Sequence, residues 1–327
     1  MDETMKPAAA LVPPAPDAPA TLDQIGRWSS SFVGPAPERE YLLRHKDGGF
    51  MPAGKLCLLA SPGGKGKTAL LMHLAIHVAA GRPWLGLDVV KPGAVAMVLG
   101  EEDAEEVHRR LNASCGGLPP PPNVLVLPLA GHGSRRLVDD AGVTEHFYAL
   151  RDYLVKSAPE GGWRLVIVDP FARFAGPEAE TDNAEATRTM EALEELVKLP
   201  GRPVVFVTHH TKKRGGDDVD AVELIRGASA IKDAARWAAM LESQEPDEGG
   251  TARAWLRIVK TNYTTSAYAV AFKMARGVPA EGKVRLWKEL AKELAKELAE
   301  ERQRKNNGGS VGAGAVANGH HSRAGGD

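Results

Sequence analysis

The sequence predicts an α/β fold: a mainly parallel central sheet, an antiparallel C-terminal extension and a charged C-terminal helix. Three observations carry this. Short runs that are apolar at nearly every position alternate with helical patterns, which is how the strands of a parallel sheet covered on both faces read. The stretch 55–68, KLCLLASPGGKGKT, joins one such run to a helix through a glycine-rich loop. After residue 235, strand patterns follow one another without long helices between them, as in a meander added to the same sheet.

Taken in order, residues 1–21 are rich in Pro and Ala and are expected to be disordered. Residues 22–44 read as a short helix over 22–31 followed by a linker with Pro and Gly turns. A core then spans 45–275. Its first strand is 56–60, and Ser61, Pro62, Gly63, Gly64, Lys65 and Gly66 form a tight loop. A helix over 68–80 places Leu70, Leu71, Leu74, Ala75 and Val78 toward the sheet, with Gly81 as its cap and Pro83 as a stop. The strand 94–99 ends in Gly100-Glu101-Glu102-Asp103, and a helix follows through Leu111. Its acidic first turn suits the positive end of a helix. Prolines at 119–122 break the chain before a strand at 124–128. A helix over 143–155, a strand over 165–168 and an amphipathic helix over 184–198 come next, the last with Met190, Leu193, Leu196 and Val197 on its apolar side. The strand 204–207 ends in Thr208-His209-His210, and strands at 237–241, 252–260 and 268–274 form the extension. In the helix 285–303, Leu286, Leu290, Leu294 and Leu298 recur every four residues. At 3.6 residues per turn that stripe drifts, which predicts a surface or subunit-contact helix rather than a regular coiled coil. Residues 306–327 are Gly- and Ala-rich and are expected to be a disordered tail.

Composition narrows the function. Apolar residues make up 43% of the 327, enough for a large core, and the net charge of -1 excludes a uniformly basic nucleic-acid coat. Two cysteines, Cys57 and Cys115, make neither a disulfide framework nor a metal cluster. No stretch is long and apolar enough to span a membrane, and no hydrophobic leader opens the chain, so a reducing, cytoplasmic setting is expected.

Chemistry concentrates at the predicted strand ends. The strand–loop–helix context of Ser61–Thr68 is that of a Walker A motif: glycines let backbone N–H groups converge on phosphate, Lys67 reaches the β- and γ-phosphates, and Thr68 offers a hydroxyl to Mg2+. Ser61 stands where the first glycine of that pattern usually is. Asp169 ends a buried strand at the sheet edge where ligands bind, and is the natural second metal-binding oxygen. Glu102 is favoured over the adjacent Glu101 to polarise the attacking water. His210 is placed to sense the γ-phosphate. Lys212, Lys213 and Arg214, followed by glycines, form a loop suited to a phosphate backbone. Arg226 at a bend, and Lys260 at a strand end, are candidates for completing a neighbour's nucleotide site.

Six spaced stretches resemble the RecA-type ATPase core, and within it the RepA family of hexameric plasmid replicative helicases. They are SPGGKGKT at 61–68, GEED and HRRL within 100–111, VIVDPFARF at 166–174, VFVTHHTKK at 205–213, RGASAIKD at 226–233 and KTNY at 260–263. The resemblance implies a RecA-like P-loop NTPase core and a homo-oligomeric ring, usually of six subunits. It implies ATP and Mg2+ between neighbours, single-stranded DNA in the channel, Glu102 as general base, Asp169 as the Walker B carboxylate, His210 as sensor and Arg226 as arginine finger. Two other readings stay open: a RecA-like ATPase that remodels protein–DNA complexes without unwinding, and a non-catalytic nucleotide-binding regulator.

Overall fold

The computed structural model describes residues 22–176, 178–179, 182–211, 229–263 and 267–308. The chain divides between Arg39 and Glu40 into two units. In the first, α1 (Leu22–Ile25) makes a single turn, closed by the Gly26 N–H on the Leu22 carbonyl at 2.7 Å, and a 3₁₀ turn follows at Ser29–Ser31. The helix expected over 22–31 is therefore two short pieces. Gly26 is the physical reason, because glycine is a poor helix former at an exposed site.

The second unit contains, in order, β1 (Tyr41–His45), β2 (Gly48–Pro52), β3 (Leu56–Ser61), α2 (Lys67–Ala80), β4 (Asp88–Val89), β5 (Ala94–Leu99), α3 (Ala104–Ser114), β6 (Val124–Pro128), β7 (Val138–Asp139), β8 (Gly142–Val143), α4 (Glu145–Lys156), β9 (Trp163–Asp169), α5 (Phe171–Phe174), α6 (Asn183–Glu195), β10 (Val204–His210), α7 (Ser229–Ala234), β11 (Trp237–Ser243), β12 (Thr251–Thr261), β13 (Tyr268–Ala275), β14 (Val278–Leu286) and α8 (Trp287–Gly308). Nine strands form one sheet in the order β14-β13-β12-β11-β3-β10-β9-β5-β6. From β11 to β6 neighbours run parallel, and β12, β13 and β14 extend the sheet as an antiparallel meander. This is the α/β architecture with a mixed sheet that the sequence predicts.

The all-apolar strands have two faces to fill. Cys57 and Leu59 of β3 enter the core under α2, while Leu56, Leu58 and Ala60 enter the opposite core against α4 and α6. Val95, Met97 and Leu99 of β5 divide from Ala94, Ala96 and Val98 in the same way. The period of two explains why no polar residue interrupts these runs: both faces are dry. Cys57 is fully buried, and burial raises its thiol pKa, so it packs as an apolar residue.

Elements outside the helical core have weaker sequence signals. The β1–β2 hairpin and β14 carry no strong strand pattern, yet each is fixed by pairing. The β13–β14 turn places Arg276 at φ 48° and Gly277 at φ 81°, the left-handed pair that a two-residue hairpin loop requires. Because β14 continues to Leu286, the last helix begins at Trp287 rather than 285 and runs to Gly308, into the span expected to be tail. It packs within its own chain: Leu290 and Leu294 are buried against Ala269, with Trp255 and Ala271 alongside. Arg253 and Arg285 reach Glu293 at 3.0 and 2.6 Å, and Arg253 also holds Glu297. Leu298 is 51% exposed, as a drifting four-residue stripe predicts.

Candidate active site

Parallel register brings the C-terminal ends of the core strands to one line. His210 pairs with Ser61, and Asp169 with Leu99, so the loop after β3, the carboxylate of β9 and the acidic run after β5 share one edge of the sheet. Ser61 lies in β3 rather than in the loop, since pairing persists one residue further through the Thr211 N–H on the Ser61 carbonyl. It is fully buried and has no positive φ, so this position does not require glycine. Gly64 and Gly66, at φ 74° and 85°, do require it. Nothing lies within 4 Å of where a Cβ on Gly64 would stand, so the turn is an open backbone cradle.

Lys67 opens α2 and is only 6% exposed. Its Nζ donates to the Ser61 and Pro62 carbonyls at 3.0 and 3.2 Å and lies 3.1 Å from His210 Nδ1. Burial lowers its pKa to about 8, against the opposing pull of Asp169 and Glu101. One residue on, the Thr68 hydroxyl donates to Asp169 Oδ2 at 2.6 Å. Thr208, buried on β10, donates to the other carboxylate oxygen, Oδ1. Asp169 is thereby held from both sides. Sequence reasoning named Thr208 only as part of a strand end; its role is visible only once β9 and β10 pair.

The adjacent glutamates separate in space. Glu101 is 46% exposed and pairs with Arg173 at 2.9 Å. Glu102 is 12% exposed and meets Arg110 of α3 at 3.2 Å. Desolvation raises the Glu102 pKa, and Arg110 opposes that rise. Neither arginine stood out in the sequence, although Arg110 lies in the HRRL run and Arg173 in FARF.

The two histidines also differ. His210 faces Lys67 and the loop. His209 is buried, its ring edge-on to Phe171 at 6.0 Å, and burial with the nearby His210 and Lys67 lowers its pKa to about 4. The Lys65 side chain points away from the loop centre, bonding Glu245 at 3.1 Å, so only its backbone belongs to the cradle. Lys260 donates to the Lys232 and Asp233 carbonyls at 2.9 and 2.7 Å, capping α7. Lys212, Lys213, Arg214 and Arg226 lie outside the described residues.

Residues 20–216 match the AAA domain family, more than half the chain. The chain belongs to the AAA domain family. Among solved structures, an ATPase domain aligns with a TM-score of 0.50 at 14% identity, over 71% of this chain and 86% of that one. A DnaB-like replicative helicase, solved in a study of its interactions with primase, aligns with a TM-score of 0.49 at 13% identity, over 70% of this chain and 59% of that one. The fold of this AAA domain is that of a P-loop ATPase. No described helix is long and apolar enough to cross a membrane.

The residues of this AAA domain fit Mg–nucleotide. The Thr68 hydroxyl and the Asp169 carboxylate, 2.6 Å apart, are hard oxygen donors of the kind Mg2+ takes, and would hold the ion directly or through water. Among the described residues no group of three His, Cys, Asp or Glu assembles a cage. Mg2+ needs none, since it commonly takes one or two carboxylates, waters and substrate phosphates.

Were Lys67 to hold phosphate, nucleotide binding would depend on pH, because only its ammonium form pairs with phosphate and phosphate would raise its pKa. Above pH 8, binding therefore takes up a proton, and nucleotide affinity is expected to fall, by up to about tenfold per pH unit. Dissociation constants measured from pH 7 to 9.5 check this. A flat profile through pH 9.5 contradicts it.

Proposed function

We propose that the chain is a Mg2+-dependent ATPase that works as a homo-oligomeric ring and couples hydrolysis to movement along single-stranded DNA, as a helicase or translocase. The observation that carries the hydrolytic part is the convergence of Lys67, Thr68 and Asp169 with Glu102 on one sheet edge. In this reading the Gly64–Gly66 backbone and Lys67 hold the β- and γ-phosphates. Thr68 and Asp169 hold Mg2+, which when bound neutralises phosphate charge. Glu102 accepts a proton from water as its oxygen bonds the γ-phosphorus and the β–γ bridging oxygen departs, giving ADP and phosphate. A raised pKa suits that task, because a base too acidic is a weak proton acceptor.

His210, whose Nδ1 lies 3.1 Å from the Lys67 Nζ, is the sensor in this reading. Loss of the γ-phosphate changes what Lys67 contacts, and His210 reads that change. Arg226 acts on the neighbour's nucleotide, Lys260 is the second basic residue assigned to that interface, and Lys212, Lys213 and Arg214 grip the DNA backbone. Support for the DNA-directed part is the resemblance at 205–213 and 226–233 to RepA-type helicases.

Strand displacement on a tailed duplex tests this part. With ATP and Mg2+, single-stranded DNA is expected to stimulate turnover and the duplex to separate. Stimulated turnover without separation favours remodelling, and turnover indifferent to DNA contradicts the DNA-directed reading.

A further inference from the structure

A cavity of about 380 Å³ opens beyond the ends of β5 and β6. Its lining includes Gly131, Gly133, Ser134, Arg135, Arg136 and Arg173, with no carboxylate and no aromatic residue. Three arginines thus border one space. The Arg135 Nε is buried and has no hydrogen-bond partner among the described residues. That atom lies beneath the cavity surface, and a positive charge left unpaired at this depth favours an anion nearby. Gly131 and Gly133 stand at φ 78° and 79°, with nothing within 4 Å of where a Cβ would be. That backbone is open, and successive N–H groups in such turns form anion-binding concavities. Arg173 already holds an anion, Glu101, across an exposed pair that is weak enough to be exchanged.

We propose that this cavity is a second oxyanion site, separate from the phosphate loop, that takes a tetrahedral phosphoryl group. Planar guanidinium forks match phosphate oxygens two at a time, which a lysine cluster does not. No aromatic wall stacks a base, so recognition ends at the phosphoryl group and is independent of nucleotide sequence. The group comes either as free inorganic phosphate or as a phosphodiester of a single nucleic-acid strand. The site exists whether or not the phosphate loop hydrolyses ATP.

The test uses the full chain with the phosphate loop filled by Mg2+ and a non-hydrolysable ATP analogue. Inorganic phosphate is titrated by calorimetry, and a labelled 20-residue oligothymidylate by fluorescence anisotropy. At least one probe is expected to bind. Arg135→Gln and Arg136→Gln are each expected to weaken that binding by about tenfold or more, while Lys198→Gln, an exposed charge outside the cavity lining, leaves it unchanged. Arg136 is exposed, so its variant keeps the fold, as unchanged analogue affinity would verify. Binding of phosphate alone supports the free ion as source, and binding of the oligonucleotide supports the strand. The proposal is overturned if neither probe binds, if both arginine variants bind as the parent does, or if Lys198→Gln loses as much as they do.

Discussion

Replacing Lys67 with Ala is expected to lower ATP turnover by at least about 10²–10³-fold and to weaken nucleotide binding, while leaving the fold intact. The size follows from removing a fixed positive charge from a dry site where phosphate charge develops, an effect of that order for a single oxyanion donor. The fold survives because Lys67 is a cost to it rather than a support. Its pKa falls to about 8 through burial, so the folded chain holds the ammonium less readily than water does. What the variant leaves behind are the Ser61 and Pro62 carbonyls, which lose one donor between them. Steady-state phosphate release, nucleotide affinity and thermal unfolding, measured on the same preparation, separate the three effects. Turnover within tenfold of the parent would remove Lys67 from the chemistry.

Glu102→Gln is expected to lower kcat by about 10²–10⁴-fold with nucleotide affinity nearly unchanged, the pattern of a lost general base. Glu101→Gln is expected to cost much less. The distinction rests on environment. Glu102 is nearly enclosed, is raised in pKa by desolvation and is oriented by Arg110, so it is both shielded and basic. Glu101 is half exposed and tied to Arg173. A larger loss in Glu101→Gln than in Glu102→Gln would reverse the assignment.

How far the sequence could be read depended on whether a feature is local. The strand–loop–helix at 55–68 was legible because β3, the glycine turn and α2 are contiguous, and the residues that matter follow one another. Ser61 was legible as a departure from the motif, but not as a strand residue, because the Thr211 pairing that extends β3 comes from far along the chain. Thr208 and Arg110 are partners of Asp169 and Glu102 only through the fold; no periodicity marks them. Lys65 read as part of the phosphate cradle, whereas its side chain finds Glu245 beyond the end of β11. The leucine stripe of the last helix gave its solvent face correctly at Leu298. It could not give its partner, since Ala269 and Trp255 belong to strands whose pairing depends on the whole extension.

We propose that Lys67, Thr68, Asp169 and Glu102 make one Mg2+-dependent hydrolytic site. The most direct measurement is phosphate release from ATP by the full chain, with Mg2+ and with chelator, with and without single-stranded DNA, beside an Asp169→Asn variant. Turnover is expected to need Mg2+ and to fall at least about 10²-fold in the variant, because the amide cannot replace the carboxylate that Thr68 and Thr208 hold. Tight Mg–ATP binding with no phosphate release, with or without DNA, would contradict it and leave a nucleotide-binding regulator.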